Sequence, residues 1–118
     1  MRKVSREVIS AFLAGKPKRN GNTTTDGKVL RLYGNTIADK SIAGSIYIYD
    51  GGVRSATTKE RLNALLQLMA YENSYIMVAN RIFQKNYEWL VRYDTGGEFN
   101  FQNGLVLGVP NKLADKLN

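Results

Sequence analysis

Cysteine and histidine are both absent from these 118 residues, and proline occurs only twice. Without cysteine there are no disulfides, no thiolate metal sites and no thiol nucleophile, which suits a reducing compartment. Without histidine, Ser-His-Asp chemistry, imidazole ligation of metals and the usual general base near neutral pH are lost as well. A catalyst made from this chain would depend on Asp, Glu, Lys, Tyr, Ser or Thr alone. The expectation is a protein that is not an enzyme and that carries no metal or cofactor. Long apolar runs are missing too. The richest stretch, Leu62 to Tyr71, is interrupted by Asn63 and Gln67 and is far short of the ~20 residues of a membrane span. Arg2 and Lys3 are not followed by the apolar run that a signal peptide needs.

What is present is a globular composition, with 43% apolar and 23% charged residues, which argues against disorder. The length fits one domain over residues 1–118, with a C-terminal extension from about residue 104. The net charge of +7 is unevenly placed. Residues 1–31 hold eight basic and two acidic side chains, whereas the other 87 residues hold nine and eight. The body is nearly neutral and the first quarter is cationic.

Val4 to Leu13 has the spacing of a short amphipathic helix, with Val8, Ile9, Phe12 and Leu13 on one face, Ser5 as a cap and Gly15 as a stop. Lys16 to Asn22 follows as a basic loop broken by Pro17 and Gly21. Thr23 to Tyr33 reads as a hairpin turning at Asp26-Gly27, a type I′ dipeptide. A short strand at Thr36 to Ala38 and a loop from Asp39 to Gly44 come next. Ser45 to Asp50 alternates cleanly as a strand, with Ile46 and Ile48 on one face and Tyr47 and Tyr49 on the other. Thr57-x-x-Glu60 has the form of a capping box for a helix from about Thr58 to Tyr71, buried through Leu62, Leu65, Leu66 and Met69. Tyr75–Gln84 and Tyr87–Tyr93 read as paired strands turning at Lys85-Asn86, then Glu98–Leu107 as one more with a kink at Gly104. Pro110 would open a last short helix through Leu117. The implied class is α+β, a mainly antiparallel sheet of about five to six strands with two main helices packed on one face.

The first candidate for function is the cationic segment. Lys3, Arg6, Lys16, Lys18, Arg19 and Arg31 are suited to contacting the phosphates of nucleic acid, and Tyr47 or Tyr49 to stacking on a base. A merely solvated basic face explains the same residues, and no known DNA- or RNA-binding signature accompanies them. The strand aromatics Tyr47, Tyr49, Tyr87, Trp89 and Tyr93 are accounted for by cross-strand packing as readily as by stacking, with Trp89 the clearest core residue. A second candidate is an anion site at the start of the second helix, from Arg54, Thr57, Thr58, Lys59 and Arg61. Phosphate-cradling glycine motifs are absent, and Asp26 and Asp50 are explained by the turns they begin.

The strings FLAGKPKRNGNTTTDGKVLRLYGNTIA, ATTKERLNALL and IFQKNYEWLV together resemble a family of small tailed-bacteriophage proteins of unknown function. The resemblance covers about residues 3–92. The chain departs from it in a longer segment between the second helix and the QK strand and in its C-terminal extension. The resemblance transfers no catalytic residue. It implies a viral setting in the host cytoplasm. The leading expectation is therefore a basic phage accessory protein that binds nucleic acid. The alternative is a non-enzymatic interaction protein that inhibits a host defence protein or sequesters an anionic small molecule, as a homo-oligomer in one version. Neither reading involves a membrane.

Overall fold

Gly15 ends the first helix as its position suggests. It adopts φ +75°, its N–H bonds the Phe12 carbonyl at 3.1 Å, and the Lys16 N–H bonds the Ala11 carbonyl at 2.8 Å. This double closure satisfies carbonyls that a helix end otherwise leaves open. The helix is α1, Lys3–Ala14, in a computed structural model that describes residues 3–111. It starts before Ser5, which lies inside it, and it buries Val8, Ile9 and Phe12 completely.

The chain then forms β1 (Lys18–Asn20), β2 (Thr23–Thr25), β3 (Val29–Leu32), β4 (Asn35–Lys40) and β5 (Ile46–Ile48). Helix α2 spans Ala56–Glu72, and β6 (Tyr75–Met77), β7 (Ala79–Lys85), β8 (Glu88–Tyr93), β9 (Glu98–Asn100) and β10 (Leu105–Pro110) follow. All pairings are antiparallel and make two sheets, a seven-stranded one in the order β1-β2-β3-β4-β5-β10-β6 and a three-stranded one in the order β7-β8-β9. The α+β class and the antiparallel pairing hold. The expected five to six strands are corrected to ten in two sheets among the described residues.

The extra strands have local causes. Lys18–Asn20, expected as loop, is extended and pairs with Thr23–Thr25 across Gly21-Asn22. Tyr75–Gln84 is not one strand, because Val78 joins β6 of the large sheet to β7 of the small one. Glu98–Leu107 divides likewise, with Gly104 at φ +86° between β9 and β10. Pro110 closes β10 opposite Tyr75, and the helix expected through Leu117 lies outside the described residues.

The turns also differ. Thr25 pairs with Leu30, so Asp26-Gly27 is not a two-residue turn. Asp26 instead accepts the N–H groups of Lys28 and Val29, each at 2.9 Å, and these bonds hold its carboxyl below the ordinary aspartate range. Two-residue turns with both residues at positive φ fall at Tyr33-Gly34, where φ is 51° and 79°, and at Asn86-Tyr87, where φ is 52° and 65°. Gly27 has its own requirement. A Cβ there would lie 2.6 Å from the Gly15 carbonyl oxygen, so the α1 stop and this turn touch backbone to backbone. Lys40 fastens the same junction by donating to the carbonyls of Phe12, Leu13 and Gly27. Burial pushes its ammonium below the usual lysine range, with Glu72 acting in the opposite sense.

Both helices cover one face of the large sheet, and α2 also meets β7. One buried cluster joins them, including Phe12, Leu30, Ile46, Ile48, Leu62, Leu65, Met69, Ile82, Val91 and Trp89. The small sheet is hung from α2 by Asn63. Its amide donates to the Ile82 carbonyl at 2.8 Å and accepts the Ile82 N–H at 2.9 Å, in the manner of a neighbouring strand. Asn63→Ala should therefore cost about 1–3 kcal/mol of unfolding free energy in urea titrations, because two backbone groups of edge strand β7 lose their partner. A loss below a few tenths would show that water replaces the amide freely.

Candidate functional site

The predicted nucleic-acid residues fall into two groups. Arg19 pairs with Thr24 and Thr24 with Arg31, so these three side chains form a row on the sheet face away from the helices. The opposite face carries Thr23 and Thr25, both buried beneath the helices. Lys18 sits on the exposed edge strand beside Arg19, and Lys16 and Lys28 are exposed at the Gly15–Gly27 contact. Asp26 lies 3.9 Å from Arg31 and neutralises it only weakly, since both are well exposed. Arg6 stands apart on α1, beside Gln67, Leu68 and Tyr71 of α2. Lys3 begins α1, and its side chain lies outside those the structure describes.

Tyr47 and Tyr49 share the outer face with Arg19 and Arg31, but Asp39 lies among them. Asp39 is the cross-strand partner of both Val29 and Tyr47. The Tyr49 hydroxyl donates to the Asp39 carboxylate at 3.1 Å, and burial, aided by that carboxylate, raises the phenol above its usual range. The cationic row and the tyrosine pair are neighbours on one sheet face with a carboxylate between them.

The second candidate is arranged differently from its sequence pattern. Ser55, not Thr57, caps α2: its hydroxyl accepts the Thr58 N–H at 3.1 Å and lies 2.9 Å from the Thr58 hydroxyl. The Thr57-x-x-Glu60 capping box is thereby corrected, and the helix starts two residues earlier than the box implied. Thr58 is buried. Arg61 faces inward with its side chain only 5% exposed, donating through Nε to Thr23 Oγ1 at 3.1 Å and pairing with Glu60. Arg54 bonds Asp50 at 3.3 Å and the Phe101 carbonyl at 3.2 Å, and lies over the Trp89 and Phe101 rings. Thr57 and Lys59 remain at the surface of the first turn. The structure does not gather these five side chains around one opening.

Two arrangements had no signal in the sequence reading. Arg54, Trp89 and Phe101 line a cleft of about 290 Å³ beside the hairpin tip, where Tyr87 is 97% exposed. On the outer face of the small sheet, Arg81 stands directly opposite Arg92, and both guanidinium groups lie near the Phe83 ring. Strand register brings these residues together, and only a correct β7–β8 alignment would have revealed it. Among the described residues no three acidic or other metal-ligating side chains cluster. No described helix is long and apolar enough to cross a membrane.

The geometry defines a small two-sheet α+β protein with a cationic sheet edge. A family model for the Kyanoviridae Gp96 protein matches residues 1–108, and the chain belongs to that family. It is a tailed-phage family, as the sequence motifs implied. Neither the curated proteins nor the solved structures contain a match to the chain.

Proposed function

We propose that this phage protein binds nucleic acid in the host cell through the cationic edge of its large sheet. The observation that carries the reading is the register of Arg19, Thr24 and Arg31. It turns dispersed sequence charges into one row, with Lys16, Lys18 and Lys28 exposed at the same end. Such a row contacts phosphates and positions a strand without reading bases. Tyr49 contributes little to stacking in this reading, since its hydroxyl is held by Asp39. A charged, three-residue edge strand also explains Lys18 and Arg19 as protection against strand addition, so binding must be measured.

The test is fluorescence anisotropy with labelled single- and double-stranded DNA and RNA across a salt series. If Lys16, Lys18, Arg19 and Arg31 each neutralise one phosphate, log K should fall with log salt at a slope of about −3 to −4 on duplex. The double variant Arg19→Gln/Arg31→Gln should make that slope shallower by about 2. Absence of binding to every probe at low salt overturns the reading and leaves the non-enzymatic interaction protein as its successor.

A further inference from the structure

We propose that Arg81 and Arg92 form a clamp for one phosphate group on the outer face of the small sheet, independent of the cationic edge. The clamp is made by an irregularity in β7. Ala79 pairs with Tyr93 and Arg81 with Arg92, so Asn80 is an extra residue bulged out of the ladder. In an unbroken strand Arg81 would share the face of Ala79, which is fully buried. The bulge turns Arg81 outward, opposite Arg92.

Two like charges directly opposite on one sheet face repel each other. Phe83 offers both a shelf, its centroid 5.6 Å from the Arg81 guanidinium carbon and 5.3 Å from that of Arg92. Glu98 takes one hydrogen bond from Arg92 at 2.9 Å and neutralises that residue in part. The Arg81 side chain has neither an ion pair nor a hydrogen bond among the described residues, so the row of Arg81, Arg92 and Glu98 keeps one uncompensated positive charge. Lys85 and Glu88, the other charged pair on this face, lie opposite each other and balance. Planar guanidinium groups with several N–H donors match the oxygens of a tetrahedral phosphate, and a bound phosphate would turn the repulsion into shared attraction.

The experiment uses the full chain and inorganic phosphate, with pyrophosphate as a second probe, against chloride at matched ionic strength. Thermal unfolding should shift upward with phosphate concentration in the parent. Arg81→Gln should lose that response while melting close to the parent in phosphate-free buffer, because the relieved repulsion from Arg92 offsets the lost contact with the Phe83 ring. Arg81→Lys should respond only partly, since it keeps the charge without the fork. Lys85→Gln, which removes one charge from the same sheet face, should respond like the parent. A short oligothymidylate with and without a 5′-phosphate then distinguishes a terminal phosphate from a phosphodiester as the source. No response in the parent, an undiminished response in Arg81→Gln, or loss of the response in Lys85→Gln would each overturn the clamp.

Discussion

Trp89→Ala should remove about 3–5 kcal/mol of unfolding free energy, a large part of what a domain of this size has. Trp89 is 2% exposed although it lies on a strand of the smaller sheet. Its ring meets Phe101 edge to face, with centroids 5.2 Å apart and planes at 81°, and the Arg54 guanidinium lies 5.9 Å from its centroid. Its carbonyl accepts the Phe101 N–H at 2.9 Å, so backbone and ring fix the same neighbour. Alanine would lose the ring contacts, open a cavity and remove the shelf beneath Arg54. Trp89→Phe should retain more than half of the stability, because it keeps most of the apolar contact. Far-UV circular dichroism in urea is the right probe, since this is the only tryptophan and its removal abolishes tryptophan fluorescence. A loss under about 1 kcal/mol for the alanine variant would mean that the small sheet relaxes around the gap.

The legible parts of the fold were those that depend on nearby residues. The alternation in Ser45–Asp50 put Ile46 and Ile48 on one face, and that face is the buried one. The 3.6-residue period of the second helix placed Leu62, Leu65, Leu66 and Met69 inside, and all four are buried. Gly15 was recognisable as a stop because positive φ has few other occupants. What stayed hidden depends on which segments pair, which residue type alone does not announce. A charged Lys-Arg-Asn segment gains a strand only because Thr23–Thr25 lies ready to pair with it. Val78 marks the passage between two sheets without any change in residue type, since both sides are extended and alternating.

The candidate sites follow the same division. Charge at the N-terminal end was visible by counting, and the large-sheet register then assembled Arg19 and Arg31 into a row. Residue counting could not show that Asp39 sits beside Tyr47 and holds Tyr49. Nor could it show Arg81 turned to face Arg92, because one bulged residue decides on which side of the sheet that guanidinium emerges.

Arg61→Ala should cost about 2–4 kcal/mol, whereas Arg61→Met should cost less than half as much. The sequence places Arg61 near a helix start, where a cation suggests an anion ligand. The structure uses it to join α2 to β2. Its stem is buried, its Nε bonds Thr23 at 3.1 Å, and Glu60 on the same helix supplies the counter-charge. Removing the guanidinium does not strand Thr23, whose hydroxyl still donates to Asn22 Oδ1 at 2.9 Å. It does not strand Glu60 either, since that side chain is 32% exposed and can hydrate. The expected loss therefore comes mostly from the emptied volume and the missing packing of the stem, and methionine refills much of that space. Equal losses for alanine and methionine would show instead that the charge and its hydrogen bond dominate. In the phosphate titration Arg61→Met should respond as the parent does, because the Arg61 side chain points into the protein rather than toward an incoming anion.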